Sequence, residues 1–444
     1  YFLEHAHVVG NRCKTNTVSH TAYRGFGGPQ GMISIEGVMD DIARKVGKDP
    51  LEVRKLNLYG QTDRNVTHYG QTVEHNILPM MIDKLEADCE YQKRRAEITQ
   101  FNKENPFLKK GISLTPVKFG ISFTVQHLNQ AGALIHLYTD GSIQLNHGGT
   151  EMGQGLNTKV AQVVAQEFQV DIDNIVCTAT RTDKVPNTSP TAASSGTDLN
   201  GKAAQNAAKT IRTRLVDFAS EHFSVKQEEV IFLDNQVHIG EEKVMAFAEL
   251  IQLAYMNRVS LSSTGFYKTP KIHYNRDKAN GRPFFYYANG VSCSEVLIDT
   301  LTGEYKVERV DILHDVGDSL NPAIDLGQIE GAFVQGMGWL TTEELVWNEK
   351  GRLMTNGPAT YKIPAIADMP EKFNVELLKN EPNREATIYN SKAVGEPPFM
   401  LAISVWSALR DAVSSVSDYK LSPVLHTPAT PERVLMAVQQ MKVQ

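Results

Sequence analysis

Four short segments carry residue types that folding alone explains poorly. Thr21–Gly28 has three glycines within four residues, which lets backbone amides approach a ligand closely. Gly148–Gly155 joins a strand pattern to a helix start, where free N–H groups favour a phosphate or a metal–oxo group. Pro190–Gly196 places small and hydroxyl-bearing residues before another helix, and Val394–Pro398 holds one acid between a glycine and two prolines.

Each of these segments also has a purely structural explanation. Tight turns need glycine for their geometry, a single glutamate before two prolines is usually a surface acid, and a single phenylalanine is usually core. Neither glycine-rich loop has the G-x-x-x-x-G-K-[ST] spacing, which disfavours a nucleotide P-loop. The functional interpretation therefore depends on the combination of the four segments.

The surrounding elements mix helices and strands without a regular βαβ repeat, which predicts the α+β class with mixed sheets and packed helices in two subdomains. Aspartate and glycine at 140–141 between alternating apolar runs predict a β-hairpin, and Thr302-Gly303 predicts a second strand pair. Apolar residues spaced by three and four predict several helices. These helices cover residues 35–46, 51–56, about 80–97, 160–168, 199–218, 246–257 and 403–416, and a further strand is predicted at 174–180.

Composition excludes several classes of function. The 444 residues carry a formal net charge of −6 and no basic stripe, so no nucleic-acid partner is expected. No run of about 18 apolar residues appears, so no membrane span is expected. Cys13, Cys89, Cys177 and Cys293 are widely spaced without a C-x-x-C pair, which disfavours a zinc ribbon or an iron–sulfur cluster. Four buried thiols in a reducing cytoplasm are the simplest expectation.

Eight strings, in one order along the chain, resemble the xanthine dehydrogenase family of molybdenum hydroxylases. They are TAYRGFGGPQ (21–30), KFGISFTV (118–125), LNQAGAL (128–134), HGGTEMGQGL (147–156), VPNTSPTAAS (185–194), SLNPAIDLGQIEGAFVQG (319–336), TYKIPA (360–365) and SKAVGEPP (391–398). At Thr150 and at Gly395–Pro397 the chain is similar to xanthine dehydrogenases and not to their sister group, the aldehyde oxidases. Its ending resembles bacterial members. The opening Tyr1 indicates the C-terminal part of the molybdenum-cofactor domain or subunit.

The resemblance implies hydroxylation of a purine, from xanthine or hypoxanthine to urate. In the family a glutamate deprotonates a molybdenum-bound hydroxyl and a hydride passes to a sulfido ligand, and Glu396 matches that base. Phe26 and Phe123 match two phenylalanines that sandwich the purine, beside pocket residues matched by Thr124, Leu128, Ala192 and Ala193. The cofactor-contacting positions match Arg24 (through its backbone), Met152, Gly153, Gln154 (an amide partner for the oxo group), Ser194, Gln328 and Gly395.

The implied cofactor is molybdopterin, possibly as a dinucleotide, with molybdenum held by the pterin dithiolene and not by a protein ligand. A 2Fe-2S cluster and FAD would belong to other domains or subunits. The expected partners are the purine, that iron–sulfur/FAD part, and further copies in an oligomer. Residues 1–57 are expected to end a first cofactor subdomain, 58–110 to connect it with a helix, and 111–444 to form the second. The isolated chain is expected to be inactive, because the family's enclosure of the cofactor extends upstream of Tyr1.

Two alternatives stay open. The chain could be a truncated, non-catalytic assembly module, although the combination of Glu396, Phe26 and Phe123 is not something stability alone requires. It could also belong to a molybdenum hydroxylase for another heterocycle or an aldehyde. The family's purine-orienting arginine and second acid, which lie upstream of Tyr1, would discriminate between those substrates.

Overall fold

A computed structural model describes residues 1–443 and shows an α+β chain with several mixed sheets, which confirms the predicted class. The helices are α1 (Gly28–Val46), α2 (Pro50–Leu56), α3 (Leu78–Asp88), α4 (Tyr91–Glu104), α5 (Leu156–Phe168), α6 (Gly196–Phe223), α7 (Phe247–Met256), α8 (Pro322–Thr341), α9 (Ile403–Ser414) and α10 (Pro431–Val443). The strands are β1 (Leu108–Ile121), β2 (Gln130–Leu137), β3 (Ile143–His147), β4 (Ile175–Cys177), β5 (Val230–Leu233), β6 (Gln236–Ile239), β7 (Lys243–Ala246), β8 (Ser262–Lys268), β9 (His273–Asn275), β10 (Asn280–Arg282), β11 (Tyr286–Asp299), β12 (Tyr305–His314) and β13 (Lys372–Leu377).

The longest strands form a four-stranded sheet in the order β1-β11-β12-β13, antiparallel except for the last pair. Helix α9 packs directly on β1. A Cβ on Gly111 would lie 2.1 Å from the Ala408 carbonyl oxygen, so only glycine allows this approach of helix and strand. The register pairs Ile121 with Tyr286, and β1 therefore ends beside the start of β11.

A second sheet has the order β4-β3-β2-β8 and packs against α5 and α6. Val160, Val163, Val164 and Phe168 are fully buried on one side of α5, as the apolar spacing predicts. The hairpin at Asp140-Gly141 joins β2 to β3, so that prediction is also confirmed. Smaller sheets, β5-β6-β7 and β9-β10, complete the fold.

Helix α1 buries charged residues and exposes apolar ones. The predicted helix is present, but Val38, Ile42 and Val46 are exposed, whereas Glu36 and Asp40 are buried. Arg54 on α2 accounts for this orientation, since it donates hydrogen bonds of 2.6 Å to each of those two carboxylates. Paired charges therefore attach α1 to its neighbours within the described residues, together with Met39 and Ala43, which pack against Val53.

Several element bounds were wrong in the sequence analysis. The helix expected at about 80–97 is two helices, α3 and α4, because Glu90 adopts a left-handed conformation with φ 54°. The strand expected at 174–180 shortens to β4. The connecting segment expected to reach residue 110 already contains the start of β1 at Leu108. Helix α8 was not predicted, since glycines obscure its apolar spacing.

The cysteines also differ from expectation. All four are free thiols, but Cys13 is exposed and Cys177 is half-buried, so only Cys89 and Cys293 are buried as predicted. Cys13 lies in an exposed segment without helix or strand that contributes nothing to the core. Its thiol therefore has no apolar core to pack against.

One segment, Pro397–Ser417, is long and apolar enough to cross a membrane by length and composition alone. It contains α9, and 94% of its apolar stretch is buried inside the structure. That is the ordinary position of a core helix, and α9 has that position because the four-stranded sheet and α8 cover it.

Arg54→Ala should lower the free energy of unfolding by about 3–5 kcal/mol, because it leaves the buried Glu36 without its guanidinium partner and leaves Asp40 with only the more distant one of Arg410 among the described residues. Lys48→Ala is the control, since it breaks an exposed i,i+4 pair with Glu52 that is worth roughly 0.3–0.5 kcal/mol. Urea unfolding of both variants measures the difference. Similar losses in the two variants would contradict the importance of the buried charges.

Candidate functional site

One cavity of about 1440 Å³ lies where the catalytic, substrate and cofactor positions of the sequence analysis meet. Its wall includes Arg24, Phe26, Phe123, Thr124, Leu128, Met152, Gly153, Gln154, Ala192, Ala193, Ser194, Gln328, Gly395 and Glu396. These residues come from the loop before α1, the chain after β1, the loops before α5 and α6, helix α8, and the segment before α9. The structure thus brings every one of them to a single cavity, while their individual roles stay predictions.

The Glu396 carboxylate is oriented by two hydrogen bonds from distant parts of the chain. The Gly25 N–H donates to Oε1 at 3.1 Å, and the Ser194 hydroxyl donates to Oε2 at 2.7 Å. A carboxylate oxygen has two lone pairs, so each oxygen retains acceptor capacity. The arrangement can accept a proton from a group bound in the cavity.

Arg24 uses its side chain as well as its backbone. Its Nε donates to the Gly395 carbonyl oxygen at 2.6 Å, and its other nitrogens donate to Gln335 at 3.0 Å and Gln328 at 3.2 Å. Burial lowers the pKa of Arg24, and the charge of Glu396 opposes that shift. The sequence analysis expected only the backbone to matter, but the guanidinium holds the residue that precedes the carboxylate.

The backbone of the cavity wall is strained at two places. Gly25, Phe26 and Gly27 have φ values of 100°, 45° and 92° in succession, and Ala193 and Ser194 follow with 56° and 55°. Left-handed conformations of residues with a Cβ cost free energy and are concentrated at ligand sites. The first turn leaves the Phe26 ring 73% exposed at the cavity.

Asn129 shapes the loop that carries Phe123, and the sequence analysis missed it. The buried Asn129 side chain accepts a hydrogen bond from the Phe123 N–H at 2.8 Å and donates to the Phe123 carbonyl oxygen at 2.9 Å. It also donates to the carbonyl oxygens of Val125 and Gln126. An asparagine next to a strand start, after a short polar loop, was the available signal.

The Gly148–Gly155 loop does not offer the free anion site that the sequence predicts. The carboxylate of Glu151, within the loop, accepts hydrogen bonds of 2.9–3.0 Å from the N–H groups of Gly153, Gly155 and Asn157. An internal anion therefore already satisfies the start of α5. Because Glu151 is itself a loop residue, only its folded position reveals this contact.

Gln154 has its amide engaged within the same loop. The Gln154 side chain donates to the Thr150 carbonyl oxygen at 2.9 Å and accepts a hydrogen bond from the Met152 N–H. Its predicted contact with a metal–oxo group would require these bonds to rearrange.

His147 and Cys177 form a structural pair below this loop. The Gly149 N–H donates to His147 Nδ1 at 3.1 Å, so the proton of the neutral ring lies on Nε2, 3.4 Å from the Cys177 sulfur. A ring that carries its proton toward sulfur cannot take a proton from the thiol. Burial raises the pKa of Cys177 to about 11, which also opposes a nucleophilic role.

Some donors at the cavity have no acceptor within residues 1–443. The Gln328 amide uses its oxygen for Arg24 and leaves Nε2 without a partner. The N–H groups of Ala193 and Ser194, in the strained turn, likewise have none. A Cβ on Gly153 would meet nothing within 4 Å. The wall therefore combines unused N–H donors, small residues and space, which suits a large anionic group.

Among the further titratable groups that line the cavity, two have a pKa near neutrality, and the sequence analysis gave neither a role. Lys118 has its ammonium 3.7 Å from the ring centre of Tyr287, and burial lowers its pKa to about 7. Asp198 lies in the first turn of α6, and burial raises its pKa to about 7. Nothing in their sequence surroundings distinguishes them, because burial is the cause of both shifts.

Comparison with known families gives two matches along the chain. A family model described as a molybdopterin cofactor-binding domain matches residues 84–370, and another with the same description matches residues 1–58. The division into a first subdomain (1–57), a connecting segment (58–110) and a second subdomain (111–444) stays a prediction.

The curated relatives are xanthine dehydrogenases and oxidases. Xanthine dehydrogenase/oxidase of Gallus gallus is 48% identical over 437 residues, which is 98% of this chain and 30% of that protein. Xanthine dehydrogenase 1 of Arabidopsis thaliana is 45% identical over 447 residues, or 98% and 31%. The chain thus spans about a third of these relatives. Quinoline 2-oxidoreductase from Pseudomonas putida 86 is a structural match with a TM-score of 0.79 and 25% identity, covering 94% of this chain and 53% of its own.

Glu151→Ala should create the anion site that the native loop lacks, because the N–H groups of Gly155 and Asn157 lose their acceptor. The loss should cost about 1 kcal/mol of stability, as for an N-cap residue. Millimolar sulfate should then raise the melting temperature of the variant more than that of the wild type. Equal stabilisation of the wild type by sulfate would refute the assignment of Glu151 as the internal anion.

Proposed function

Because the chain belongs to the molybdopterin cofactor-binding domains of the xanthine dehydrogenase family, we propose that it forms part of the catalytic site of a molybdenum hydroxylase that converts xanthine or hypoxanthine to urate. The observation that carries this proposal is the oriented carboxylate of Glu396 in a cavity that all the matched positions line. A truncated assembly module would have no need of that orientation.

The cavity fits the cofactor that the family implies. A molybdenum–pterin group, possibly as a dinucleotide, would supply the transferred oxygen and accept two electrons when bound. The unused N–H groups of Ala193 and Ser194, together with the Gln328 amide, are the donors best placed to hold it. Met152 and Gly153 would bound it on the side of the α5 loop.

Glu396 would act as the general base. Its two hydrogen bonds hold the carboxylate in one orientation, and the Arg24 guanidinium fixes the carbonyl oxygen of the preceding Gly395. A proton taken up at Oε1 or Oε2 would lie beside the Gly25 N–H or the Ser194 hydroxyl, each of which donates a hydrogen bond to the carboxylate. Taking up this proton is the step of the reaction that Glu396 itself would perform.

Phe26 and Phe123 would hold the flat substrate between two rings. Neither ring pairs with another aromatic ring within the described residues, so their faces are available to a heteroaromatic ligand. Thr124 would offer a hydroxyl group, and Leu128 would close the entrance. Ala192 has only a methyl group, which leaves room for the substrate's approach.

The remaining parts of the enzyme are proposed to lie outside this chain. Electrons would leave to a 2Fe-2S cluster and FAD in other domains or subunits, and the assembly would be an oligomer in the cytoplasm. The free state of all four cysteines agrees with a reducing compartment. The likeness to quinoline 2-oxidoreductase favours a second candidate, hydroxylation of a different heterocycle. Comparing turnover of xanthine and quinoline by the complete enzyme separates the two candidates.

Glu396→Gln, made in the complete enzyme, should lower kcat on xanthine by about 10²–10⁴-fold, because the amide cannot accept the proton. Molybdenum content, measured by mass spectrometry, should remain that of the wild type. Glu330→Gln is the control, since Glu330 is an exposed acid on α8 outside the cavity. Full activity of Glu396→Gln would end the assignment of the base.

Phe123→Ala should raise KM for the purine roughly two- to tenfold, the effect of losing about 0.5–1.5 kcal/mol of ring stacking. If Phe123 were only a core residue, the variant would instead lose about 3–5 kcal/mol of stability. Steady-state kinetics and thermal denaturation of the same preparation distinguish these results. A large fall in melting temperature with unchanged KM would assign Phe123 to the core.

A further inference from the structure

The segment that carries Glu396 has no regular secondary structure, so individual hydrogen bonds decide where it lies. The N–H of Lys392 donates to the Val316 carbonyl oxygen at 2.7 Å, and the Gly395 carbonyl oxygen accepts from Arg24. Between these two points the N–H of Ala393 donates to the Tyr286 hydroxyl oxygen at 2.9 Å. Tyr286 therefore holds the middle of the segment.

The Tyr286 hydroxyl is itself held by an acid. It donates to Asp198 Oδ2 at 2.7 Å, and the exposed fractions of Tyr286 and Asp198 are 6% and 8%. Asp198 belongs to the first turn of α6, four residues after Ser194. The phenol thus accepts from a backbone N–H and donates to a carboxylate in one buried arrangement.

These bonds close a ring that includes the Glu396 carboxylate. From Glu396 the ring passes through the hydrogen bond to Ser194, along the chain to Asp198, through Tyr286 to Ala393, and along the chain back to Glu396. A closed ring fixes the distance between its two chain segments, which neither segment could do alone. Hydrogen bonding to a carboxylate polarises the phenol, so its oxygen is a stronger acceptor for the Ala393 N–H.

We propose that Tyr286 is a positioning residue that, held by Asp198, sets the place of Glu396 relative to the Ser194 turn. The inference rests on the proposed function, since Glu396 is the residue positioned. The hydrogen bonds of the Tyr286 hydroxyl go to Asp198 and Ala393, neither of which is assigned above to the substrate or cofactor, and Tyr286 acts through the backbone of Ala393. The family resemblance assigned no role to either Tyr286 or Asp198.

The arrangement predicts a pH dependence whose direction follows from Asp198. The groups that face its carboxylate are Tyr286 on β11, Tyr267 on β8, Lys202 on its own helix and Lys159 on α5. Burial raises the pKa of Asp198 to about 7, so the carboxylate that accepts from Tyr286 is fully formed above that pH and is lost as the pH falls. The hold on Ala393 should therefore weaken on the acidic side of neutrality.

The test uses the complete enzyme and Tyr286→Phe. Amide hydrogen exchange at Ala393 should accelerate about tenfold or more, because the hydroxyl oxygen that accepts from its N–H is removed. The kcat on xanthine should fall about tenfold to hundredfold, as expected when a reacting group is displaced by a fraction of an ångström to an ångström. Exchange reports directly on the backbone contact and does not depend on turnover.

Tyr91→Phe is the matched control. The Tyr91 hydroxyl is also buried, donates to a carboxylate (Asp49, 3.0 Å) and accepts from a nitrogen donor (Arg95, 2.9 Å), but it lies on α4 away from the cavity. The control should lose stability without any change in Ala393 exchange or in kcat per folded enzyme. Unchanged Ala393 exchange in Tyr286→Phe, or equal falls of kcat in both variants, would overturn the proposal.

Asp198→Asn provides the second variant if Tyr286→Phe fails to fold. Its neutral amide oxygen can still accept from Tyr286, as the protonated Asp198 can, so Ala393 should show the weaker protection of the acidic wild type at every pH, and the change in protection near pH 7 should disappear. Persistence of that change in Asp198→Asn would overturn the role of Asp198. If the wild-type enzyme hydroxylates no purine, the proposed function fails on its own, and the exchange measurements still decide the role of Tyr286.

Discussion

The two hydrogen bonds received by the Glu396 carboxylate are the constraint on which the site depends. They join three regions of the chain, the turn before α1, the turn before α6 and the segment before α9. None of these regions has a regular hydrogen-bonding pattern of its own at the contact point. Their relative position is therefore decided by one carboxylate and the groups around it, and the same carboxylate is the group with the capacity to take a proton.

This constraint is effective because the elements behind it pack closely. Gly111 lets α9 approach β1, and a Cβ on Gly336 of α8 would lie 2.3 Å from the Phe399 carbonyl oxygen. Helix α9 is thus fixed against the sheet, and the 3₁₀ helix Pro397–Ala402 that precedes it is fixed against α8; Glu396 lies directly before this 3₁₀ helix. Helix α1 is held differently, by the ion pairs of Arg54 with two buried acids. The turn at Gly25 therefore precedes a helix whose position depends on buried ion pairs. Close packing and buried ion pairs together hold in place the elements from which the three regions extend.

Sequence patterns predicted the parts of this arrangement that depend on local periodicity. The apolar face of α5 and the hairpin at Asp140-Gly141 follow from spacing alone. The motif strings located most of the cavity wall, but not the parts formed by Tyr69, Arg276, Phe284 and Tyr287. They could not predict that Glu151 turns back onto the start of α5, or that α1 buries Glu36 instead of Val38. The first outcome depends on how the loop folds back on itself, and the second depends on a partner in another helix, Arg54; apolar spacing contains no information about either.

The strained turns show why the carboxylate and the wall around it act as one unit. Ala193 and Ser194 occupy left-handed conformations that cost on the order of 1–3 kcal/mol each, and such conformations persist only where neighbouring contacts over-determine them. Ser194 is held by its bond to Glu396, and the same turn exposes the N–H groups of Ala193 and Ser194 without an acceptor. The hydrogen bond between Ser194 and Glu396 therefore also keeps the N–H groups of Ala193 and Ser194 out of regular secondary structure. Because the Ser194 contact contributes both to the orientation of the base and to the presentation of the donors, a change at Ser194 must alter both, whereas a change at the Gly25 contact would alter the orientation alone.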